Sequence, residues 1–204
     1  MIDFLLWVEH SGFATWLRES TSLVGYTLVL SLHTIGLAFL VGFNAVIGLR
    51  ILGVARGLPL APMLKFFPLM VAGFCVNAVT GLVLLTTAPT DFLTNGVFYV
   101  KMSAIAVAAV ALWRLYREVS ANQETLDNAD ASTSARIWAG TSLACWAVAI
   151  VAGRLTAYSW PVVGLPTVRA LLVLTIVLLV GGYISRLATS RELPWRQRVW
   201  RDRL

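Results

Sequence analysis

The sequence predicts an all-α, polytopic membrane helical bundle of five transmembrane helices, preceded by an N-terminal amphipathic interfacial helix. Three observations carry that reading. Of 204 residues, 58% are hydrophobic and 13% charged, where a soluble domain has about 45–50% apolar and about 25% charged residues. Mean hydropathy is +0.79. Five runs approach the about 20 apolar residues that a spanning helix needs. Eight tryptophans suit a chain whose indoles sit at the lipid headgroup level. A soluble enzyme is excluded unless a partner hides most of the chain, and a disordered chain is excluded more firmly.

Residues 1–20 read as one amphipathic helix. Leu5, Leu6, Val8, Phe13, Trp16 and Leu17 alternate with Asp3, Glu9, His10, Arg18 and Glu19. Such a helix lies along the outer membrane surface or packs as a plain N-terminal arm. No basic leader precedes its apolar residues, so a signal peptide is not expected there. Residues 21–190 form the membrane domain, with spans at 22–48, 66–88, 98–116, 137–158 and 168–187. Gly53, Gly57, Pro59 and Pro62 punctuate the first joint, Pro89 the second, and Pro161 and Pro166 the last. Residues 191–204 are a basic cytoplasmic tail drawn to anionic lipid headgroups.

Lys and Arg in the loops set the orientation. Arg50, Arg56 and Lys65 follow the first span. Arg114, Arg117 and Arg136 flank the third loop, and Arg186, Arg191, Arg196, Arg198, Arg201 and Arg203 follow the fifth span. The opposite loops carry Asp91 alone and, between Ser159 and Thr167, no charge. The N-terminus is therefore expected outside and the tail inside the bacterial plasma membrane. The net charge of +6 reflects this topology, not a stripe that follows nucleic-acid phosphates. Cys75 and Cys145 both lie in apolar runs, so a disulfide framework is not expected.

Polar residues at membrane depth are expensive, and each needs a partner or a purpose. His33 lies near the middle of the first span, and helical spacing puts Tyr26, His33, Gly36, Leu40 and Asn44 on one face. The sharp reading makes His33 an axial ligand of haem b, with Met102 the available second ligand. The bland reading is a buried histidine hydrogen-bonded to Asn77, Tyr26 or a carbonyl. A quinone or proton-linked role stands between them. In the second span Gly73, Asn77, Thr80 and Gly81 line one side, a pattern that lets helices approach and hydrogen-bond. Lys101, Arg154 and Arg169 fall near the outer ends of their spans, with Tyr158 a turn beyond Arg154. They either snorkel to the interface or form a cationic pocket for propionates, a quinone carbonyl, a lipid phosphate or an acidic partner, with Asp91 as counter-charge. The candidate cofactor-binding set is thus His33, Tyr26, Asn77, Lys101, Met102, Arg154 and Tyr158, and His33 is the candidate metal ligand.

Other chemistries lack their parts. The chain has no Cys-x-x-Cys, His-Glu-x-x-His, Walker A or Gly-x-Ser-x-Gly motif. No carboxylate lies inside a span, as a carboxylate-relay pump would need. Copper ligation by Met-rich or paired Cys motifs is also missing.

Several stretches together resemble an uncharacterised family of small bacterial inner-membrane proteins, a domain of unknown function. They are Leu32-His33-Thr34-Ile35-Gly36-Leu37 through Val41-Gly42, Leu49-Arg50-Ile51-Leu52-Gly53, Ala72-Gly73-Phe74 with Thr80-Gly81, Phe98-Tyr99-Val100-Lys101-Met102, and Ala152-Gly153-Arg154-Leu155-Thr156-Ala157-Tyr158. The likeness covers nearly the whole chain as far as the fourth span. It implies that His33, Lys101 and Arg154 are motif residues, and it supplies no activity. The family pattern has a second histidine near the inner end of the third span, where this chain reads Leu112-Trp113-Arg114-Leu115-Tyr116. A looser likeness to the CopD-type copper-resistance membrane domain rests on His33 and the glycines after it.

Three functions are compatible with these residues. One is a membrane anchor or electron-transfer subunit for a periplasmic redox partner, with haem b or quinone near His33. A second is a non-catalytic structural or assembly subunit among other membrane or periplasmic chains. The third is a small ion or metal transporter, although the sequence shows no internal repeat or broken-helix pair. The topology has its own test. Alkaline phosphatase fused within 159–167 is expected to be active, and a fusion at the C-terminus inactive while a fluorescent-protein fusion there glows. The reverse pattern would invert the orientation.

Overall fold

The computed structural model describes residues 2–54, 59–121 and 131–156, and every regular element among them is a helix. In order these are α1 (Ile2–Glu9), α2 (Gly12–Glu19), α3 (Tyr26–Ile51), α4 (Leu60–Leu64), α5 (Phe67–Leu85), α6 (Pro89–Thr94), α7 (Gly96–Ala121) and α8 (Thr133–Leu155). Four stretches are long and apolar enough to cross a membrane: α3, Pro62–Leu85, α7 and α8. The described chain is therefore an all-helical bundle compatible with a multi-pass membrane protein. The expected fifth span at 168–187 and the basic tail at 191–204 lie outside the described residues.

The expected N-terminal helix is two helices, because Ser11-Gly12 interrupts it. The Ser11 hydroxyl accepts the Ala14 N–H at 3.3 Å and caps α2. The arm is also tied down. Ala14 and Leu17 are fully buried, α1 packs on α6, and Arg18 Nη1 donates to the Thr87 carbonyl at 3.0 Å.

Caps, not hydropathy, set the ends of the long helices. Ser20 and Ser22 hydroxyls accept the N–H groups of Ser22 and Val24. These local bonds hold the chain in a turn, so α3 starts at Tyr26 rather than at residue 22. At the other end Gly53 has φ 88°. Its N–H bonds the Arg50 carbonyl at 3.1 Å while that of Val54 reaches back to Leu49 at 3.0 Å, a Schellman closure that needs a glycine. Thr86 and Thr87 end α5 by donating their hydroxyls to the carbonyls of Val83 and Leu84. Asn95 Oδ1 accepts the Val97 N–H at 3.0 Å ahead of α7. Ser132 caps α8 through the Ala135 N–H at 3.0 Å.

Packing proceeds through small residues. Along α7, Ala104, Ala108, Ala111, Leu115 and Val119 are buried at helical spacing, facing Ala135, Ala139, Trp146, Ala149 and Ala152 of α8. Helix α3 joins α8 through Gly48, whose absent Cβ leaves room for the Leu143 methyls, and through the buried Ser142–Asn44 bond at 3.1 Å. Phe67 of α5 and Tyr116 of α7 stack at 3.8 Å and link the remaining pair. Side chains such as Val79, Leu82, Val107 and Val110 point outward and are exposed. That is what a lipid solvent asks of a bundle.

The closest approach is between α3 and α5. A Cβ on Gly36 would lie 2.7 Å from the Gly73 carbonyl oxygen, and one on Gly73 2.8 Å from that of Gly36. Backbone cannot yield as a flexible side chain can. Gly36→Ala is expected to cost about 1–3 kcal/mol, read as a lower unfolding temperature in detergent. Gly42→Ala meets nothing within 4 Å and is expected to stay within about 0.5 kcal/mol of wild type.

Candidate functional site

The Gly36–Gly73 contact brings the polar residues of α3 and α5 into register. Helix α5 presents Asn77 and Thr80, each 8% exposed, to the half-buried His33. Asn77 Nδ2 donates to the His33 backbone carbonyl at 2.8 Å, and His33 Nδ1 lies 3.1 Å from Thr80 Oγ1. The Thr80 hydroxyl has one hydrogen and a carbonyl at 2.6 Å, that of Val76, to receive it. Toward His33 it is therefore the acceptor, so Nδ1 carries the proton and the neutral ring keeps its lone pair on Nε2. Gly81 completes the seat, since a Cβ there would stand 3.2 Å from His33 Cε1.

Lys101 enters from α7. Its methylenes lie over Gly153 of α8, with Cε 3.6 Å and Nζ 3.8 Å from where a Cβ would be, and its ammonium is an electrostatic neighbour of the His33 ring. Residues of all four long helices thus shape one polar locus at the level of His33. The ammonium can donate to an oxygen acceptor, and Nε2 can accept a proton, accept a hydrogen bond or ligate a metal.

The remaining expected site residues sit elsewhere or lie beyond description. Tyr26, seven residues before His33 on the same helix, is 41% exposed. Met102 is 46% exposed, turned away along α7 from the face that carries Lys101. Arg154 is exposed in the last turn of α8. Tyr158 lies outside the described residues. Of the expected hydrogen-bond partners of His33, which are Asn77, Tyr26 or a carbonyl, Asn77 is found on the residue. Asn77 binds its backbone, and Thr80 takes the ring. Thr80 stood in the polar stripe of the second span, so the residue was visible though its role was not.

A second polar pair lies eleven residues further along α3, roughly 16 Å from His33. Asn44 and Ser142 are 1% and 0% exposed. Asn44 Nδ2 has no hydrogen-bond partner, and neither does the indole N–H of buried Trp146. Among the described residues no group of three or more His, Cys, Asp or Glu could hold a metal ion.

Comparisons of the chain with protein-family models, with characterised proteins and with solved structures find no match. Removing the ring's acceptor tests the geometry of the site. Thr80→Val and His33→Ala are expected to couple, with an interaction energy of roughly 0.6–1.7 kcal/mol in a double-mutant cycle of detergent unfolding. Additive effects would show that the two side chains do not meet.

Proposed function

We propose that this chain is a five-span subunit of the bacterial inner membrane that anchors a periplasmic redox partner and holds a quinone headgroup between His33 and Lys101. The supporting observation is the Thr80 clamp, which commits Nδ1 and leaves Nε2 as an acceptor within electrostatic range of the Lys101 ammonium. A quinol presents hydroxyl protons, which Nε2 can take as a base. A quinone presents carbonyl oxygens, to which Lys101 can donate. The pair answers both redox states of one ring.

In this arrangement the N-terminus is outside, and the exposed aromatics Phe4, Trp7, Phe13 and Trp16 of α1 and α2 lie in the headgroup layer. Arg154, exposed in the last turn of α8, faces the acidic surface of the partner. Haem b is the alternative guest, because Nε2 is also the atom that an iron takes. Met102 sits on the exposed face of α7, so a haem here would draw one axial ligand from His33. The second reading is a structural or assembly subunit. It is favoured by the backbone contact at Gly36 and the Asn77 bond, which give His33 a part in holding α3 to α5.

The test is purification in mild detergent, absorption spectra before and after dithionite, and quantification of quinone in an organic extract. The expected outcome is a spectrum without a Soret band and about one quinone per chain. Lys101→Ala should lower occupancy at least about tenfold, the loss of one charge-assisted hydrogen bond, and His33→Ala roughly two- to tenfold, the loss of a neutral one, each with an unchanged elution profile. A Soret band with sharp reduced bands would assign His33 to haem. An extract free of both, from a chain that co-purifies stoichiometrically with others, would make it an assembly subunit.

A further inference from the structure

We propose that the bundle end formed by the C-terminal turns of α7 and the first turns of α8 binds one anionic phospholipid. Arg114 and Arg117 hold its phosphate, and one acyl chain lies in the adjoining cleft. The proposal does not involve His33 or Lys101.

Two observations meet at Trp113. The first is a pair of guanidinium groups at cation–π range over indole rings. Arg114 Cζ lies 5.6 Å from the Trp113 ring centroid and 5.9 Å from that of Trp138, and Arg117 Cζ lies 4.9 Å from Trp113. An arginine lying over an aromatic face keeps its in-plane N–H groups for an oxyanion. Both arginines are exposed, and among the described residues neither forms an ion pair.

The second is a cleft of about 130 Å³ with an almost wholly apolar lining, whose walls include Phe67, Val71 and Phe74 of α5 and Ala109, Leu112 and Trp113 of α7. That volume approaches the roughly 150 Å³ of an apolar cavity that holds benzene, so it takes a short stretch of hydrocarbon chain. Trp113 is at once the floor of the cationic pair and a wall of the cleft. It is 49% exposed on the same outward stripe as Val107 and Val110.

A free phosphate would leave the cleft empty, and a neutral hydrocarbon would leave the guanidinium groups unused. A molecule with an anionic head and a hydrocarbon chain satisfies both at the spacing given by one helix, where Ala109 to Arg117 spans roughly 12 Å. Two cations on one head also favour a lipid with net negative charge over a zwitterion, in which an ammonium would oppose them.

The test is native mass spectrometry of the full chain in detergent, titrated with dioleoyl phosphatidylglycerol or dioleoyl phosphatidylcholine. Wild type is expected to prefer phosphatidylglycerol for one bound lipid by roughly 10- to 30-fold, as two near-surface arginines imply. R114Q/R117Q should reduce that preference to within about twofold. Ala109→Leu, which narrows the cleft and keeps both charges, should weaken both lipids together. Inorganic phosphate in excess should not displace the lipid. Equal binding of the two lipids by wild type would overturn the proposal. So would a preference that survives R114Q/R117Q and disappears when Arg196, Arg198, Arg201 and Arg203 are replaced by Gln, or displacement by inorganic phosphate. Substituted chains are compared only where size exclusion and circular dichroism match wild type. If R114Q/R117Q fails that standard, R114Q and R117Q are compared singly, and each should lower the preference roughly fivefold.

Discussion

The contact of Gly36 against Gly73 governs the geometry of the polar locus. Apolar side chains gain little by leaving lipid for another helix, so spanning helices associate through close van der Waals contact and hydrogen bonds that need short distances. Two glycines facing each other let the α3 and α5 backbones touch. The Asn77 amide can then reach the His33 carbonyl, and the Thr80 hydroxyl can reach the His33 ring. With a methyl on either glycine the helices would stand apart, both bonds would lengthen, and His33 would keep its desolvation without its partner.

Elsewhere the bundle divides its labour differently. Alanines on α7 and α8 make an extended seam in which small side chains let the two helices pack closely. Polar groups are confined to two depths along α3. The His33 depth has its hydrogen bonds arranged, while the Asn44 depth leaves an amide N–H and, nearby on α8, an indole N–H unsatisfied. Each unpaired donor in a low-dielectric interior weakens that level of the bundle.

The spans could be read from the chain because lipid imposes one requirement, an unbroken apolar helix, that no local preference overrides. Their ends could not, since they depend on single hydrogen bonds. Ser20 and Ser22 delay α3, Gly53 closes it, and Asn95 and Ser132 start α7 and α8. Hydropathy averages over all of these. The same limit explains the N-terminal segment, where an amphipathic pattern continued across Ser11-Gly12 although the serine caps a new helix. The short helix α6 was not anticipated, although Pro89 at its start and Asp91 in its first turn are ordinary helix-opening signals. His33, Asn77 and Lys101 stood out in the chain because polar atoms in an apolar run call for explanation. That Thr80 rather than Asn77 takes the ring depends on the rotation of α5 about its own axis, and one helix's periodicity holds no record of its neighbour's phase.

The bond from Arg18 to the carbonyl of Thr87 joins residues 69 positions apart, and this orders events during synthesis. At about 5–20 residues per second, the ribosome needs roughly 3–14 s after Arg18 to supply its acceptor. The chain between them includes α3 and α5, both of which must be made before the arm has a place to dock. For that interval the arm lacks both the α6 surface on which α1 packs and the carbonyl that Arg18 binds. The arm therefore begins as a nascent segment dependent on lipid or a chaperone and becomes part of the fold only when α5 and the residues just after it have been made.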